Sequence, residues 1–175
     1  EIIRPMSTSA EQLTYLQATF AEFARLIRKD PERRIGSGNP PLIEIIPLVE
    51  DIPDMIGLGN LIRRYVALYK KKGLNRIQDL GYIRPFIARS DPALNYGLVP
   101  AVLGAKLALS RAYHAAADCG IDVYPILGCG SVPFRGNLSP GTVKRFLAEY
   151  PGVRTATVQS SFRYDHSKEE VSGAV

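Results

Sequence analysis

The sequence lacks long apolar runs, a secretory signal and a strong excess of one charge, and each absence excludes a class of protein. The longest stretch without a charged residue, between Asp91 and Lys106, is interrupted by asparagine, glycine and proline. It therefore falls short of the about 18 apolar residues of a membrane-spanning helix. No basic segment followed by an apolar one is present at the start of the given sequence. Apolar residues make up 46% and charged residues 22% of the 175 positions, which is typical of a globular protein and not of a disordered one.

Cysteine and histidine are also scarce. Cys119 and Cys129 form no CxxC motif and have no matching pair of histidines, so the sequence argues against a zinc site and a disulfide scaffold. It fits the reducing cytoplasm instead. Cys129 lies in a glycine-rich loop, where we interpret it as a small filler. No arrangement typical of a nucleophilic enzyme is visible, because His114 lies in an alanine-rich predicted helix and His166 in a polar tail.

The basic excess is modest, with 22 Lys and Arg against 17 Asp and Glu and a net charge of +5. Basic residues gather near the ends of two predicted helices, where cations complement the helix dipole. No aromatic interleaving or nucleic-acid motif accompanies them, so we favour solvated helix ends over a nucleic-acid surface. The two clusters are Arg25, Arg28, Lys29, Arg33, Arg34 and Arg63, Arg64, Lys70, Lys71, Lys72, Arg76.

Five short runs rich in Ile, Val, Leu and Tyr predict parallel strands buried on both faces. They cover residues 2–6, 42–49, 82–88, 123–127 and 153–158. Between them lie four helical patterns, the second ending at Gly73 and the third at Gly120. These patterns begin near Ser9, near Pro53-Asp54, near Pro100, and at Ser139 with Pro140 in the first helical position. Capped helices that alternate with buried strands predict right-handed βαβ units.

A doubly wound sheet and a TIM barrel both use this unit. A closed barrel needs eight strand–helix units, typically more than about 200 residues, whereas this sequence supplies about five strands and four helices. A barrel here is therefore a partial one, and we treat 1–175 as one partial domain without an internal boundary. The chain opens on Glu1 within a predicted strand, which leads us to expect that it is a segment of a longer protein.

Carboxylates follow two successive predicted strands, where parallel sheets bind their ligands. Glu50 and Asp91 stand at these strand ends, and such a pair suits a hard divalent cation that keeps several waters. The alternative is that Asp51, Asp54 or Asp91 caps the helix that follows. For Asp54 we favour the cap.

A glycine-rich loop and several arginines share the same predicted rim. Gly128-x-Gly130-Ser131 followed by Arg135-Gly136 predicts free backbone N–H groups and a guanidinium that cradle a phosphate or carboxylate. An arginine in a buried strand pattern must find an anion or a carboxylate. Five such arginines predict an anionic substrate, although Arg84 and Arg154 also suit structural ion pairs. The five are Arg84, Arg89, Arg135, Arg154 and Arg163.

Five motifs carry a resemblance that extends over nearly the whole sequence. They are PLVED at 47–51, ARSDPALNYG at 88–97, GCGSVPFRG at 128–136, YPGVRT at 150–155 and QSSFRYD at 159–165. In this order and spacing they resemble the archaeal-type phosphoenolpyruvate carboxylases. The second and third motifs are long enough to be specific, and the opening residues 4–11 also fit that family.

The resemblance implies part of a TIM (β/α)8 barrel in a carbon–carbon lyase. That enzyme joins phosphoenolpyruvate and bicarbonate to give oxaloacetate and phosphate, with Mg²⁺ or Mn²⁺. By motif match the metal ligands are Glu50 and Asp91, and the catalytic arginines are Arg135 and Arg163. The resemblance makes Arg135, in the glycine-rich loop, the arginine that binds phosphate and bicarbonate. Both arginines also bind substrate, together with Arg154, Arg89, Gly130 and Ser131.

The resemblance further implies a cytoplasmic, allosterically regulated homo-oligomer, a tetramer, with no nucleic-acid or membrane partner. It implies that this chain is about one third of the enzyme. A catalytic histidine and an early substrate arginine then precede Glu1, so the chain alone is expected to be inactive.

The sequence departs from the bacterial and plant type of that family at two positions. Leu94 stands where that type has a lysine just after the metal aspartate, and Cys129 stands roughly where its loop has an earlier arginine. Two other functions remain open. One is a different barrel enzyme that uses a carboxylate-bound metal on a pyruvate enolate, such as a citrate-lyase-like aldolase. The other is a non-catalytic binding or assembly module that keeps the polar rim.

Overall fold

The computed structural model describes residues 1–29, 42–76, 79–158 and 160–174. Arg33 and Arg34 of the first basic cluster lie outside the described residues, as does Gln159 of the last motif. The side chains of Arg28, Lys29 and Arg76 also lie outside them.

Strands and helices alternate along the chain, which confirms the predicted α/β class. Short 3-10 turns cover Leu74–Arg76, Pro133–Arg135 and Pro140–Thr142. The main elements are, in order, β1 (Ile2–Arg4), α1 (Ala10–Lys29), β2 (Ile45–Val49), α2 (Ile52–Lys71), β3 (Tyr82–Ile83), β4 (Phe86–Ile87), α3 (Ser90–Tyr96), α4 (Leu98–Cys119), β5 (Asp122–Val123), β6 (Ile126–Leu127), α5 (Val143–Glu149), β7 (Thr155–Ala156), α6 (Ser161–Tyr164) and α7 (Lys168–Gly173).

The strands form a parallel sheet whose order is β1-β2-β4-β6-β7, and β3 pairs with β5 in a second parallel pair. The order in the sheet is the order in the chain, without the reversal that marks a doubly wound sheet. Within the described residues β1 and β7 each keep one unpaired edge, so the sheet is open.

Prolines divide two of the predicted strands. Tyr82 lies opposite Asp122 and Phe86 lies opposite Ile126, so the register is the same on both sides of the prolines at 85 and 125. Hence β3 leads directly into β4, and β5 into β6. Each break occurs because proline has no amide hydrogen to donate to the neighbouring strand.

The observed helix caps match the sequence prediction except at one carboxylate. Ser9 accepts a hydrogen bond from the Gln12 amide at 3.4 Å at the start of α1, and Ser139 forms a capping box before Pro140. The cap of α2 is Asp51, which accepts a hydrogen bond from the Ile52 amide at 3.0 Å. The preference for Asp54 as the cap is wrong, because α2 begins at Ile52 and already includes that residue in its first turn.

The ARSDPALNYG motif contains a short helix that the sequence analysis did not predict. Residues Ser90–Tyr96 form α3, and Gly97 with φ of 90° separates it from α4. Proline is tolerated in a first helical turn, where its missing amide costs no hydrogen bond. The predicted end of α4 is confirmed, since Gly120 adopts a left-handed conformation after Cys119.

The alanine-rich face of α4 packs closely against α2. Its inward residues Ala101, Ala105, Ala108 and Ala112 are completely buried, and a side-chain carbon at Gly104 would lie 2.7 Å from Ile52 Cδ1. Small residues at these positions therefore let the two helix backbones approach each other. His114 is exposed on this helix, as a surface histidine.

Burial on both faces is confirmed for β6 and for most of β2. In β2 only Leu48 is partly buried, and in β4 Ile87 is completely buried whereas Phe86 is partly buried. The prediction of burial on both faces is wrong for β1, where Ile2 and Ile3 are 44% and 47% exposed. The reason is that β1 lies at the edge of the sheet with no second layer of described residues over it.

No helix in the described ranges combines the length and the apolar character needed to cross a membrane. Cys119 and Cys129 are free thiols in the structure.

Candidate functional site

A cleft of about 260 Å³ lies at the carboxyl ends of β2, β4, β6 and β7. Each of these strands contributes residues to it, because parallel strands bring their carboxyl ends to one edge of a sheet. The predicted convergence of polar groups is thereby observed for five residues, which are Glu50, Arg89, Ser90, Asp91 and Arg135. Thr157 also lines the cleft.

Two carboxylates line this cleft together. Glu50 follows β2 directly, and Asp91 lies in the first turn of α3. Burial raises the pKa of Glu50, and the negative charge of Asp91 raises it further. Asp91 does not cap α3, since Arg89 occupies the N-cap position and no side chain there makes a capping bond. The capping alternative is therefore realised at Asp51, and the charge of Asp91 acts on Glu50.

The donor set of the cleft fits one kind of cation. Among the described residues no group of three or more His, Cys, Asp or Glu is placed to hold an ion, whereas a structural or catalytic zinc site needs three or four such ligands. Mg²⁺ and Mn²⁺ take oxygen ligands, and Mg²⁺ commonly uses only one or two carboxylates while keeping several waters. The pair Glu50 and Asp91 fits that second pattern.

The glycine-rich loop after β6 closes on itself. The Gly130 amide donates to the Arg135 carbonyl at 2.8 Å, and the Leu138 amide donates to the Gly130 carbonyl at 2.8 Å. Gly136 has φ of 111°, and a side-chain carbon there would lie 3.0 Å from Cys129 Cβ. Only glycine satisfies both the dihedral angle and the close approach.

The glycine amides are not the free N–H groups that the sequence predicts for this loop. The Gly128 amide donates to the Ile87 carbonyl in β4, and those of Gly130 and Gly136 donate to carbonyls within the loop, which the 3-10 turn at Pro133–Arg135 folds back on itself. The loop therefore contributes rigidity. Gly130 and Ser131 lie within the loop beside the cleft without lining it, and their role in substrate binding stays a prediction.

Arg135 extends from this rigid turn into the cleft. It is half-buried, lines the same cleft as Glu50 and Asp91, and has its guanidinium carbon 5.7 Å from the centroid of the Phe134 ring. The expectation that these three residues share one cavity is confirmed. The cleft thus combines two carboxylates with a guanidinium held by a closed loop.

Arg89 forms the most deeply buried charge of the cleft. Its side chain is 1% exposed, and its Nε and Nη1 atoms have no hydrogen-bond partner among the described residues. Its guanidinium carbon lies 5.9 Å from the centroid of the Tyr150 ring. Burial raises the pKa of Tyr150, although the charge of Arg89 acts in the opposite direction.

Arg84 lies outside the cleft. It pairs with Glu1 and donates to Thr155 Oγ1 at 3.0 Å, so its predicted ion pair is confirmed. The expectation of five arginines at one rim is wrong here, because Arg84 precedes β4 and lies toward the amino ends of the strands.

Arg154 and Arg163 are both exposed. Arg154 precedes β7 and acts on the Tyr124 phenol, whose pKa the hydrogen bond to Asp122 raises and the charge of Arg154 lowers. It forms no ion pair within the part of the chain that the structure describes. Arg163 lies in α6 after β7, with its guanidinium carbon 5.3 Å from the Tyr164 ring centroid.

Thr157 and Tyr150 are site residues that the sequence analysis missed. Thr157 Oγ1 accepts from the Cys129 amide at 2.8 Å and donates to the Cys129 carbonyl at 2.9 Å, which ties the end of β7 to the glycine-rich loop. A polar residue directly after a strand was the available signal. Burial raises the pKa of Cys129 to about 11, so its thiol is uncharged, as suits a filler.

Comparison with known proteins shows which family this sequence is similar to. A family sequence model described as phosphoenolpyruvate carboxylase matches residues 1–175. The phosphoenolpyruvate carboxylase of Caldivirga maquilingensis is 49% identical over 141 residues, which cover 81% of this chain and 26% of that protein. Those of Methanopyrus kandleri and Metallosphaera sedula are 38% and 42% identical, and the matches cover 100% of this chain and 32% and 34% of those proteins. The chain spans about a quarter to a third of the length of these curated relatives.

Proposed function

Because the chain belongs to the phosphoenolpyruvate carboxylase family, we propose that it carries the metal-binding part of such an enzyme's active site. The whole enzyme joins phosphoenolpyruvate and bicarbonate to form oxaloacetate and phosphate. The observation that supports this most is the cleft shared by Glu50, Asp91 and Arg135 at the carboxyl ends of the strands. A carboxylate pair beside a fixed guanidinium suits a cation on one side and an anionic reactant on the other.

The same proposal extends to the fold, as part of a TIM barrel within a single partial domain, 1–175. The strand order supports it, because barrel strands are neighbours in the order of the chain. The partly exposed face at Leu48 and Phe86 corresponds to the inside of a barrel. The two open edges at β1 and β7 correspond to the places where further strands pair.

In the proposed reaction a bicarbonate oxygen attacks the phosphorus, and the bond from phosphorus to the enol oxygen breaks. Carboxyphosphate and the enolate of pyruvate result. Carboxyphosphate then releases phosphate and CO₂, and the enolate carbon attacks the CO₂. Arg135 neutralises charge on the phosphoryl group as it is transferred, which is the step at which a preorganised donor lowers the barrier most.

Glu50 and Asp91 hold Mg²⁺ or Mn²⁺ in this proposal. When bound, the cation would supply positive charge that stabilises the developing enolate. Closure of the rim must exclude water during this reaction, since protonation of the enolate would divert it to pyruvate. Arg163, Gly130 and Ser131 lie toward the same end of the sheet and are proposed as further substrate contacts, with Arg163 also catalytic. Arg154 stays a proposed substrate contact, although it is exposed, precedes β7 and does not line the cleft.

The test uses the full-length enzyme that contains this chain. We expect it to release phosphate from phosphoenolpyruvate and to form oxaloacetate, with both products dependent on added bicarbonate and on Mg²⁺ or Mn²⁺. Bicarbonate-independent chemistry without phosphate release would point to a citrate-lyase-like aldolase. Loss of both metal and phosphoenolpyruvate binding would point to a non-catalytic assembly module. The 175-residue chain alone is expected to form no oxaloacetate, because it spans a minor part of its relatives and its described sheet is open.

The proposal includes a homo-tetramer under allosteric control in the cytoplasm. The free thiols of Cys119 and Cys129 support a reducing compartment. Light scattering of the full-length enzyme, with and without candidate effectors, would measure the oligomeric state and its response.

A further inference from the structure

Arg89 is a cation that the fold buries almost completely. Its side chain is 1% exposed, and its Nε and Nη1 atoms make no hydrogen bond to any described residue. A buried charge with unsatisfied donors lowers stability, and an apolar residue of similar volume is often at least as stable in such a place. Stability therefore does not account for an arginine at this position, which points to a role in the neighbouring site.

Tyr150 is the partner that the structure gives to Arg89. Burial raises the pKa of the Tyr150 phenol, whereas the charge of Arg89 and a hydrogen bond from its side chain act in the opposite direction. The Arg89 guanidinium carbon lies 5.9 Å from the centroid of the Tyr150 ring. Because Arg89 precedes α3 and Tyr150 follows α5, their contact joins two elements that are distant in the chain.

Tyr150 is itself held firmly. It is 2% exposed, its ring centroid lies 5.2 Å from that of Phe146, and its amide donates to the Phe146 carbonyl at 3.1 Å. Lys106 of α4 places its ammonium 5.7 Å from the Tyr150 ring centroid and pairs with Glu149 at 3.5 Å. Tyr150 is thus fixed by α4 and α5, and a bond to it fixes Arg89 in turn.

Arg89 stands where α3 begins, two residues before Asp91. It occupies the N-cap position, where no side chain makes a capping bond, and its carbonyl accepts from the Ala93 amide at 3.3 Å. The helix dipole disfavours a cation at this end, so the placement does not serve the helix itself. A helix of seven residues is not stable in isolation, and the position of Asp91 within it therefore depends on tertiary anchors.

We propose that Arg89 is a positioning residue that, bonded to Tyr150, fixes the start of α3 and thereby holds Asp91 in the cleft it shares with Glu50. The inference rests on the metal site proposed above. Arg89 acts through Asp91 and does not touch the reactants. Because α3 also lies against the 3-10 turn that carries Arg135, the same anchor keeps the carboxylates and the guanidinium of the cleft in a constant arrangement.

The first test measures the Kd for Mn²⁺ of the full-length enzyme and of its Arg89→Met and Tyr150→Phe variants. We expect each variant to raise this Kd about fivefold or more, because a residue that orients a metal ligand is lost. Removal of a nearby cation would by charge alone tighten the binding of Mn²⁺, so the sign of the change in Arg89→Met separates position from charge. The double variant should bind Mn²⁺ no more weakly than the weaker single variant, since both changes break one link.

Tyr65→Phe is the matched control for Tyr150→Phe. Tyr65 is also 2% exposed, and its phenol donates to Gln17 Oε1 at 3.3 Å without lining the cleft. This variant should keep the Kd for Mn²⁺ within about twofold of the wild type. The Tm of Arg89→Met should equal or exceed that of the wild type, because an unsatisfied buried charge is removed. A merely structural arginine would show the opposite pattern, with a lower Tm and an unchanged Kd.

A second measurement needs no metal. Hydrogen exchange in the metal-free enzyme should be about tenfold or more faster for the amides of Ser90–Tyr96 in both variants, whereas the amides of α2 should keep their wild-type rates. Local opening depends on the contacts of the segment that opens, so a faster rate confined to α3 reports the loss of its anchor.

The outcomes separate this inference from the proposed function. If the wild type binds Mn²⁺ and Asp91→Asn weakens that binding, but Arg89→Met and Tyr150→Phe leave it unchanged or tighten it, the positioning role is overturned and the metal site stands. Equal weakening by Tyr65→Phe would overturn it as well. Tyr150→Phe removes a single oxygen and decides the question if Arg89→Met does not fold. If the wild type binds no Mn²⁺, the proposed function fails, and the exchange rates of α3 still decide whether Arg89 and Tyr150 anchor that helix.

Discussion

Arginines and carboxylates occur at both ends of the parallel sheet, but their partners differ between the two ends. At the amino ends of the strands Arg84 pairs with Glu1 and donates to Thr155, and the space left among these side chains is about 10 Å³. At the carboxyl ends Arg89 is buried with two donors unbonded among the described residues, Glu50 lies near another carboxylate, and the cleft measures about 260 Å³.

We interpret this difference as a separation between charges that stabilise the fold and charges that bind a ligand in the proposed function. A cation that pairs with a carboxylate of the same protein needs nothing further. At the carboxyl end two donors of the Arg89 guanidinium make no hydrogen bond among the described residues, and the charge of Asp91 raises the pKa of Glu50. Each of these arrangements is unfavourable in the absence of a ligand. In this interpretation the amino end is a structural network, and the carboxyl end is the proposed binding site.

The largest effect that tests this comparison is expected at Arg135. Arg135→Lys in the full-length enzyme keeps the charge and loses the fixed two-pronged donor. We expect the activation free energy to rise by about 3–4 kcal/mol, with a corresponding fall in kcat. This is the usual loss when a preorganised donor to a transition state is removed. Steady-state kinetics measures this, with Arg84→Lys at the amino end as the control. Near-normal kcat in the Arg135→Lys variant would make Arg135 a general electrostatic anchor only.

The next effect concerns the rigidity of the loop that carries Arg135. Gly136→Ala places a side-chain carbon 3.0 Å from Cys129 Cβ at φ of 111°, so we expect a loss of about 1–3 kcal/mol in the free energy of unfolding. Denaturant unfolding measures it. Gly141→Ala is the control, because no heavy atom lies within 4 Å of the added carbon. Equal destabilisation by both variants would contradict a tight loop.

A moderate effect is expected for the metal. Asp91→Asn should weaken Mn²⁺ binding by about tenfold, or about 1.4 kcal/mol, because it removes one of two carboxylates in the cleft. Titration followed by electron paramagnetic resonance measures free Mn²⁺ directly. Asp122→Asn at the amino end is the control, since Asp122 accepts a hydrogen bond from Tyr124 there. If Asp122→Asn weakened binding as much, the carboxyl end would not be the metal site.

A smaller effect is expected from pH. The pKa of Glu50 is raised by burial and by Asp91. In the metal-free protein its protonated form therefore favours folding below the ordinary glutamate pKa of about 4.3, and this contribution is lost as the pH rises through the raised pKa.

Glu50→Gln should remove this dependence. We expect the variant at neutral pH to be as stable as the wild type or more stable by about 1 kcal/mol or less. Conversely, Mn²⁺ affinity of the wild type should fall as the pH drops through the same raised pKa. Unfolding curves and Mn²⁺ titrations at several pH values check both signs. If instead the wild type became more stable than Glu50→Gln as the pH rose through the raised pKa, this prediction would be contradicted.

The smallest effect is expected at the amino end itself. Arg84→Gln breaks the pair with Glu1, in which both side chains are partly exposed, so we expect a loss of about 0.5 kcal/mol or less in the free energy of unfolding. Thermal unfolding measures it, and metal affinity should not change. A change in Mn²⁺ affinity would mean that the two ends are coupled.

Several features could be predicted from the sequence because they depend on neighbouring residues. Ser9, Ser139 and Gly120 act at helix ends through their own backbone and the next turn. The prediction of Asp54 as a cap was wrong because Asp51 and Asp54 are both residues that commonly cap helices, and the sequence does not show at which of them α2 begins. The short helix α3 was missed because its motif contains proline, asparagine and glycine, which are typical of loops.

By itself the sequence determined the α/β alternation, the strand segments and the placing of Glu50, Asp91 and Arg135 after strands. Burial periodicity and chain order suffice for these, since parallel strands must bring their carboxyl ends together. The tertiary structure alone decided that Arg84 has an ionic partner and that Arg89 has none among the described residues. Both arginines belong to one strand segment and its end, but the partner of Arg84 is Glu1, 83 residues away in the chain. The register of the strands determines which residues become partners, and that register depends on the packing of the whole sheet.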